Sequence, residues 1–192
     1  MNAKKVMLAV IAAALIGVAA QITLAVPGVA LPITLQTAVV LVAGAALGAN
    51  AGGLAVVVYL MMGVLGLPVF SDGQSGGGVL FSPSGGYLLG FWFAAVVVGL
   101  GSDTGWLWRS PLLLPLWMVG AHVLILLFGA GLLSFSLGVT AAWFNGVAPF
   151  LVGGLVKSLL AAVLAFPCYR LAYAFTRHQG EVQREQEPEQ NR

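Results

Sequence analysis

Lys157 stands inside the apolar run Phe150-Leu151-Val152-Gly153-Gly154-Leu155-Val156-Lys157-Ser158-Leu159-Leu160, where an ammonium has no ordinary place. A cation at membrane depth costs about 2.5–3.5 kcal/mol on insertion scales, so it needs a partner or water and marks a functional site by default. The acidic residues do not supply that partner: Asp72 and Asp103 fall in polar connecting segments and the four glutamates lie at 181, 185, 187 and 189. The missing anion or acceptor then comes from a ligand. Gly153 and Gly154, one turn earlier on nearly the same helical face, remove side-chain bulk where a ligand would enter. The plainer alternative is a lysine that snorkels or donates to a backbone carbonyl. Gln36, with Thr34 and Thr37 beside it, has the donors for a ligand carbonyl, but such residues also cap helices; Asn145 stands equally between these roles. His122 reads as an interhelical hydrogen-bonding group rather than a proton relay. Gly73-Gln74-Ser75-Gly76-Gly77-Gly78 suggests a phosphate cradle, but no Gly-Lys pair follows and no strand precedes it, so an entrance lid or a flexible connector remains.

The elements that hold these groups are set by hydropathy. Of the 192 residues 60% are hydrophobic and only 7% charged, with a mean hydropathy of +1.01, against about 25% charged in soluble domains. A soluble enzyme is excluded, and a net charge of +2 without a basic stripe excludes nucleic-acid binding. The lone Cys168 excludes an internal disulfide and any multi-cysteine metal motif. Six apolar runs reach membrane-spanning character: Val6 to about Val26, ended by Val26-Pro27-Gly28; the run that follows Leu31-Pro32-Ile33-Thr34-Leu35-Gln36-Thr37 to about Gly48; Gly52 to Leu67 after an Ala49-Asn50-Ala51 turn; a fourth ending near Gly101; Leu112 to about Leu137; and about Pro149 to Phe175. Polar Pro68 to Gly86 and Ser102 to Pro111 are loops, and residues 176–192 form a charged tail, expected to be disordered. Six spans place Lys4, Lys5, Arg109, Arg170, Arg177, Arg184 and Arg192 on one side, which the positive-inside rule makes cytoplasmic along with both termini. The fold class is an all-α, six-helix bundle over residues 1–175 in the cell membrane. Gly44, Gly48 and Gly52, and likewise Ala9 and Ala13, recur at a spacing that allows close helix contact, within the chain or with another protein.

Four segments in this order, Leu31-Pro32-Ile33-Thr34-Leu35-Gln36-Thr37, Gly63-Val64-Leu65-Gly66-Leu67-Pro68-Val69-Phe70, Pro83-Ser84-Gly85-Gly86-Tyr87-Leu88-Leu89-Gly90-Phe91, and Pro149-Phe150 leading to Lys157, resemble the BioY family, the biotin-binding S components of energy-coupling-factor transporters. The resemblance implies a non-enzymatic subunit that binds biotin near the outer face, with Lys157, Gly154, Gln36, Tyr87, Gly85, Gly86 and Asn145 as candidate ligand residues. It implies docking on a transmembrane coupling protein through Ala9 and Ala13, with ABC-type ATPases as the energy source and no cofactor or metal. Two positions depart from the family's pattern. The sequence reads Ser82-Pro83-Ser84-Gly85-Gly86-Tyr87 where Gly-Pro-Thr-Gly-Gly-Tyr is usual, and Gly154 stands where an Asp three residues before the lysine is usual. A different small carboxylate-bearing vitamin is the alternative ligand. An intramembrane enzyme is the alternative class, disfavoured because Lys157 and His122 have no carboxylate beside them at membrane depth.

Overall fold

A computed structural model describes residues 1–24, 32–110 and 112–186, with only the backbone described for Leu24 and for 177–186. The expected break at Val26-Pro27-Gly28, Leu31, Pro111 and residues 187–192 lie outside the described residues. The α-helices among the described residues are α1 (Ala3–Ala20), α2 (Gln36–Val64), α3 (Gly85–Asp103), α4 (Leu113–Leu137), α5 (Val139–Gly146) and α6 (Phe150–Gln186). A two-residue antiparallel ribbon, β1 (Thr23–Leu24) with β2 (Ile33–Thr34), joins α1 to α2, a small departure from the all-α expectation. Five of the described helices are long and apolar enough to cross a membrane, α6 through its Phe150–Thr176 portion.

The expected second and third spans both lie within α2, which is a hairpin. Gly48 breaks it with φ 81° and ψ 174°, a conformation that is essentially confined to glycine. Gln36 donates to the Tyr59 hydroxyl at 2.6 Å, although 23 residues of straight helix would separate them by about 34 Å. The halves touch through glycine: a Cβ on Gly52 would stand 2.8 Å from the Gly44 Cα. Gly44 also receives α3 closely, since a Cβ there would stand 2.5 Å from the Ala95 carbonyl oxygen. The Gly44, Gly48, Gly52 spacing therefore serves packing inside this chain. Asp103, at the end of α3, accepts from the Ala49 backbone N–H at 2.9 Å and caps the second half of the hairpin.

Ala9 and Ala13 are both fully buried. Ala9 belongs with Ala12, Ala43 and Ala55 in one small cluster, and Ala13 joins the main core with Ile16. The docking role expected of this alanine pair is corrected accordingly: the side chains are used up by the contact between α1 and α2. The outward face of α1 is instead Met7, Val10, Ile11, Leu15 and Val18. At the other end of the chain, the α6 backbone continues to Gln186, past the expected start of a tail at residue 176.

Basic residues gather at one end of the bundle. Lys4 donates to the Phe175 carbonyl at 2.7 Å and sits over its ring, while Trp108, next to Arg109, lies 4.5 Å from the Tyr169 ring. The opposite end carries the ribbon, α5 and the ordered connection between α2 and α3. That connection is pinned rather than loose. Gly76 donates to the Gly63 carbonyl at 2.7 Å, Gln21 donates to the Phe70 carbonyl and accepts from the Gly73 N–H, and Phe70 is buried edge-on against Tyr59.

Candidate functional site

Beneath that connection a cavity of about 250 Å³ opens between α2, α3, α4 and α6, close to the lower bound of small-ligand pockets, roughly 300 Å³. Its floor and walls include Thr37 from α2, Leu88 and Phe91 from α3, His122, Ile125 and Leu126 from α4, and Phe150 and Lys157 from α6. Its mouth is polar, with Ser71, Asp72 and Gln74 on one side and Ser82 and Ser84 on the other. The α2–α3 connection thus covers the cavity and contributes side chains to it.

Lys157 is buried and donates to the Thr34 carbonyl at 3.1 Å. That bond uses one of its three N–H groups, and the others have no carboxylate partner among the described residues. Gln36 lines the same space but is largely occupied: besides donating to Tyr59, its Oε1 accepts from the Thr34 and Ser71 hydroxyls. This network joins β2, both halves of α2 and the mouth, so Gln36 shapes the site more than it offers free valence. Tyr87 lines the cavity with its ring, while its hydroxyl donates to the Gly146 carbonyl at 2.7 Å and ties α3 to α5.

The remaining expected residues stand elsewhere. Gly85 abuts the Leu80 carbonyl of the preceding connection and Gly86 the Phe128 carbonyl of α4, so both permit close backbone approach rather than line the cavity. Asn145 donates to Ala141 one turn back in α5. Gly154 does not face open space, because a Cβ there would stand 2.6 Å from Nε2 and 2.7 Å from Cδ2 of His122. The gap read from the paired glycines is filled by that ring at Gly154, while a Cβ on Gly153 would stand 3.6 Å from Ile33 Cγ2.

His122 itself departs from the expected interhelical hydrogen bond. It is 4% exposed, and its Nδ1 is buried without a partner. Thr37 Oγ1 shares that condition. Buried polar atoms are nearly always satisfied, and the two orphans found among the described residues both belong to side chains lining one cavity. No group of three or more metal-ligating side chains occurs among the described residues. The arrangement suits a compact organic ligand with an apolar body, oxygen atoms for Lys157, and polar hydrogens or lone pairs for His122 and Thr37.

Comparison with known proteins agrees in kind. The family model described as the BioY family matches residues 1–174. The probable biotin transporter BioY of Pyrococcus horikoshii is 34% identical over 165 residues, covering 86% of this chain and 96% of its own length. Biotin transporter BioY of Rhizobium etli is 35% identical over 142 residues, 69% of this chain and 75% of that protein. Biotin transporter BioY2 of Lactococcus lactis is 32% identical over 173 residues, with 88% and 93% covered. The crystal structure of the S-component for biotin from an ECF-type ABC transporter superposes with a TM-score of 0.72 at 24% identity, over 89% of this chain and 94% of that one, a likeness of fold.

Proposed function

This chain belongs to the BioY family, and from that premise we propose that the cavity under the α2–α3 connection binds biotin and that the chain is the biotin-binding membrane subunit of an uptake transporter. It is a transport protein of the cell membrane, not an enzyme. The observation that carries the assignment of the site is that one cavity is lined by a buried lysine with no carboxylate partner among the described residues and by two side chains, His122 and Thr37, that each carry a buried polar atom without a partner. Biotin supplies what they lack: a carboxylate, a ureido oxygen, ureido N–H groups, and an apolar ring and chain to lie against Leu88, Phe91, Ile125 and Phe150. Lys157 engages an oxygen of the ligand, and Tyr87 supports it from α3.

The two halves of α2 count as separate crossings in this reading. They give six spans, both termini and Arg109 in the cytoplasm, and the α2–α3 connection as an outer lid. Uptake against a gradient draws on a transmembrane coupling protein and ABC-type ATPases, since the sequence has no nucleotide-binding motif and no intramembrane carboxylate for ion coupling. The partner surface on α1 then comprises its exposed side chains rather than Ala9 and Ala13.

The test is equilibrium binding of radiolabelled biotin to the purified chain in detergent, competed with unlabelled biotin, biotin amide and other small carboxylate-bearing vitamins. Saturable binding displaced by biotin in preference to the other vitamins is expected. Preferential displacement by another vitamin would reassign the ligand, and no saturable binding of any would overturn the site.

A further inference from the structure

The ureido group brings two N–H donors into the cavity, and each needs an acceptor once water is excluded. Side-chain acceptors there are few. Gln36 Oε1 already takes two hydroxyl protons, Lys157 only donates, and Ser71, Asp72, Gln74, Ser82 and Ser84 stand at the mouth. At depth that leaves Thr37 Oγ1 and the imidazole of His122, whose Nδ1 is the buried atom without a partner. We propose that His122 is a ligand-contacting, specificity-determining residue, its unprotonated ring nitrogen accepting a ureido N–H, and that Gly154 exists to seat its ring. The inference rests on biotin being the ligand of this cavity.

The geometry gives Gly154 a specific part. Any side chain at 154 meets His122 at once, with the two nearest ring atoms 2.6 and 2.7 Å from a Cβ. The glycine lies three residues before Lys157, on the same side of α6, so the imidazole is held on the wall that also presents the ammonium. A lysine donor and an imidazole acceptor side by side match the oxygen and the adjacent N–H of a cyclic urea. Two donors side by side would instead match a carboxylate, which is acceptor-only.

Binding isotherms for biotin and for an analogue methylated on both ureido nitrogens separate these cases. His122→Leu should weaken biotin binding at least about tenfold, the cost of a buried donor left unpaired, while changing affinity for the methylated analogue less than about threefold. His122→Asn, which returns an acceptor near Nδ1, should recover part of the loss and covers the event that the leucine variant misfolds. Gly154→Ala should reproduce the ligand-selective loss by displacing the ring, yet add nothing in a His122→Ala background. Gly154→Asp, harmful alone, should restore biotin binding with His122→Ala by placing a carboxylate acceptor in the space the ring vacates, on the same wall as Lys157. Unchanged biotin affinity in His122→Leu, or equal losses for both ligands, would overturn the proposal and leave His122 a packing residue. A loss confined to ligands with a free carboxylate, absent for biotin amide, would overturn it in favour of a donor role. If the unaltered protein does not bind biotin at all, the functional reading fails instead.

Discussion

Gln36 is held by three partners, Tyr59, Thr34 and Ser71, and its removal would strand the buried Tyr59 and Thr34 hydroxyls and release the half-buried Ser71. An unsatisfied buried polar atom costs about 1–3 kcal/mol. Gln36→Leu should therefore lower the thermal midpoint of the purified protein, and it should weaken biotin binding indirectly by loosening the mouth at Ser71. An unchanged midpoint would place little stability in the network. Lys157 is conspicuous in the sequence because a charge in an apolar run needs no structure to stand out. His122 does not stand out in that way. Its neighbour Gly154 is remote in sequence, and one histidine on an apolar helix reads first as a hydrogen-bonding core residue, so only the fold shows its ring lining the cavity with Nδ1 buried and unpaired. The Gly85 and Gly86 pair illustrates the converse: glycines beside a binding residue resemble a ligand cradle, but here they admit the Leu80 and Phe128 carbonyls.

Two contacts between elements decide whether the cavity exists. The hairpin in α2 depends on Gly48 in a backbone region closed to other residues and on the Asp103 carboxylate, which would collide with a Cβ there. Gly48→Ala should destabilise the protein by about 1–3 kcal/mol, and Asp103→Ala by about 1 kcal/mol through the lost cap. Thermal unfolding in detergent would measure both, and a midpoint for Gly48→Ala equal to the parent's would mean the hairpin tolerates a side chain at its turn. The seam between α1 and α2 is equally close. Ala13→Trp should reduce folded yield and biotin binding together, as overpacking a filled core costs about 1–3 kcal/mol or more; full binding by the variant would mean that Ala13 faces out. Hydropathy made the reversal between the two runs legible, but the turn expected at Ala49-Asn50-Ala51 falls at Gly48, and residues 49–51 are helical. The spacing of small residues could not say which neighbour they meet, because inward and outward stripes on a membrane helix have the same composition. Asp103 was legible only as a loop charge, since capping of a helix 54 residues away leaves no local signature.

On the scale of the whole molecule, one end is basic and aromatic and the other bears the cavity mouth, a polarity that the positive-inside rule converts into an orientation. With Cys168→Ser as background, Gln74→Cys should react with an impermeant thiol reagent on intact cells, and Arg109→Cys should react only after lysis. Labelling at 109 but not 74 would invert the molecule and place its site on the cytoplasmic face. Most of this organisation follows from where charge is absent, which is why it could be anticipated along the chain. The short helix α5, seated by the Tyr87 hydroxyl on Gly146, is the part set by tertiary contact. The account as a whole comes down to whether the buried ammonium meets biotin. Truncating one partner of a buried charged contact costs about 2–5 kcal/mol, so equilibrium titration of radiolabelled biotin against purified, monodisperse parent and Lys157→Ala proteins should show affinity falling about 30-fold or more, with folding retained because an insertion penalty has been relieved. Equal affinities for the two proteins would contradict the account, leaving Lys157 as no more than a donor to the Thr34 carbonyl.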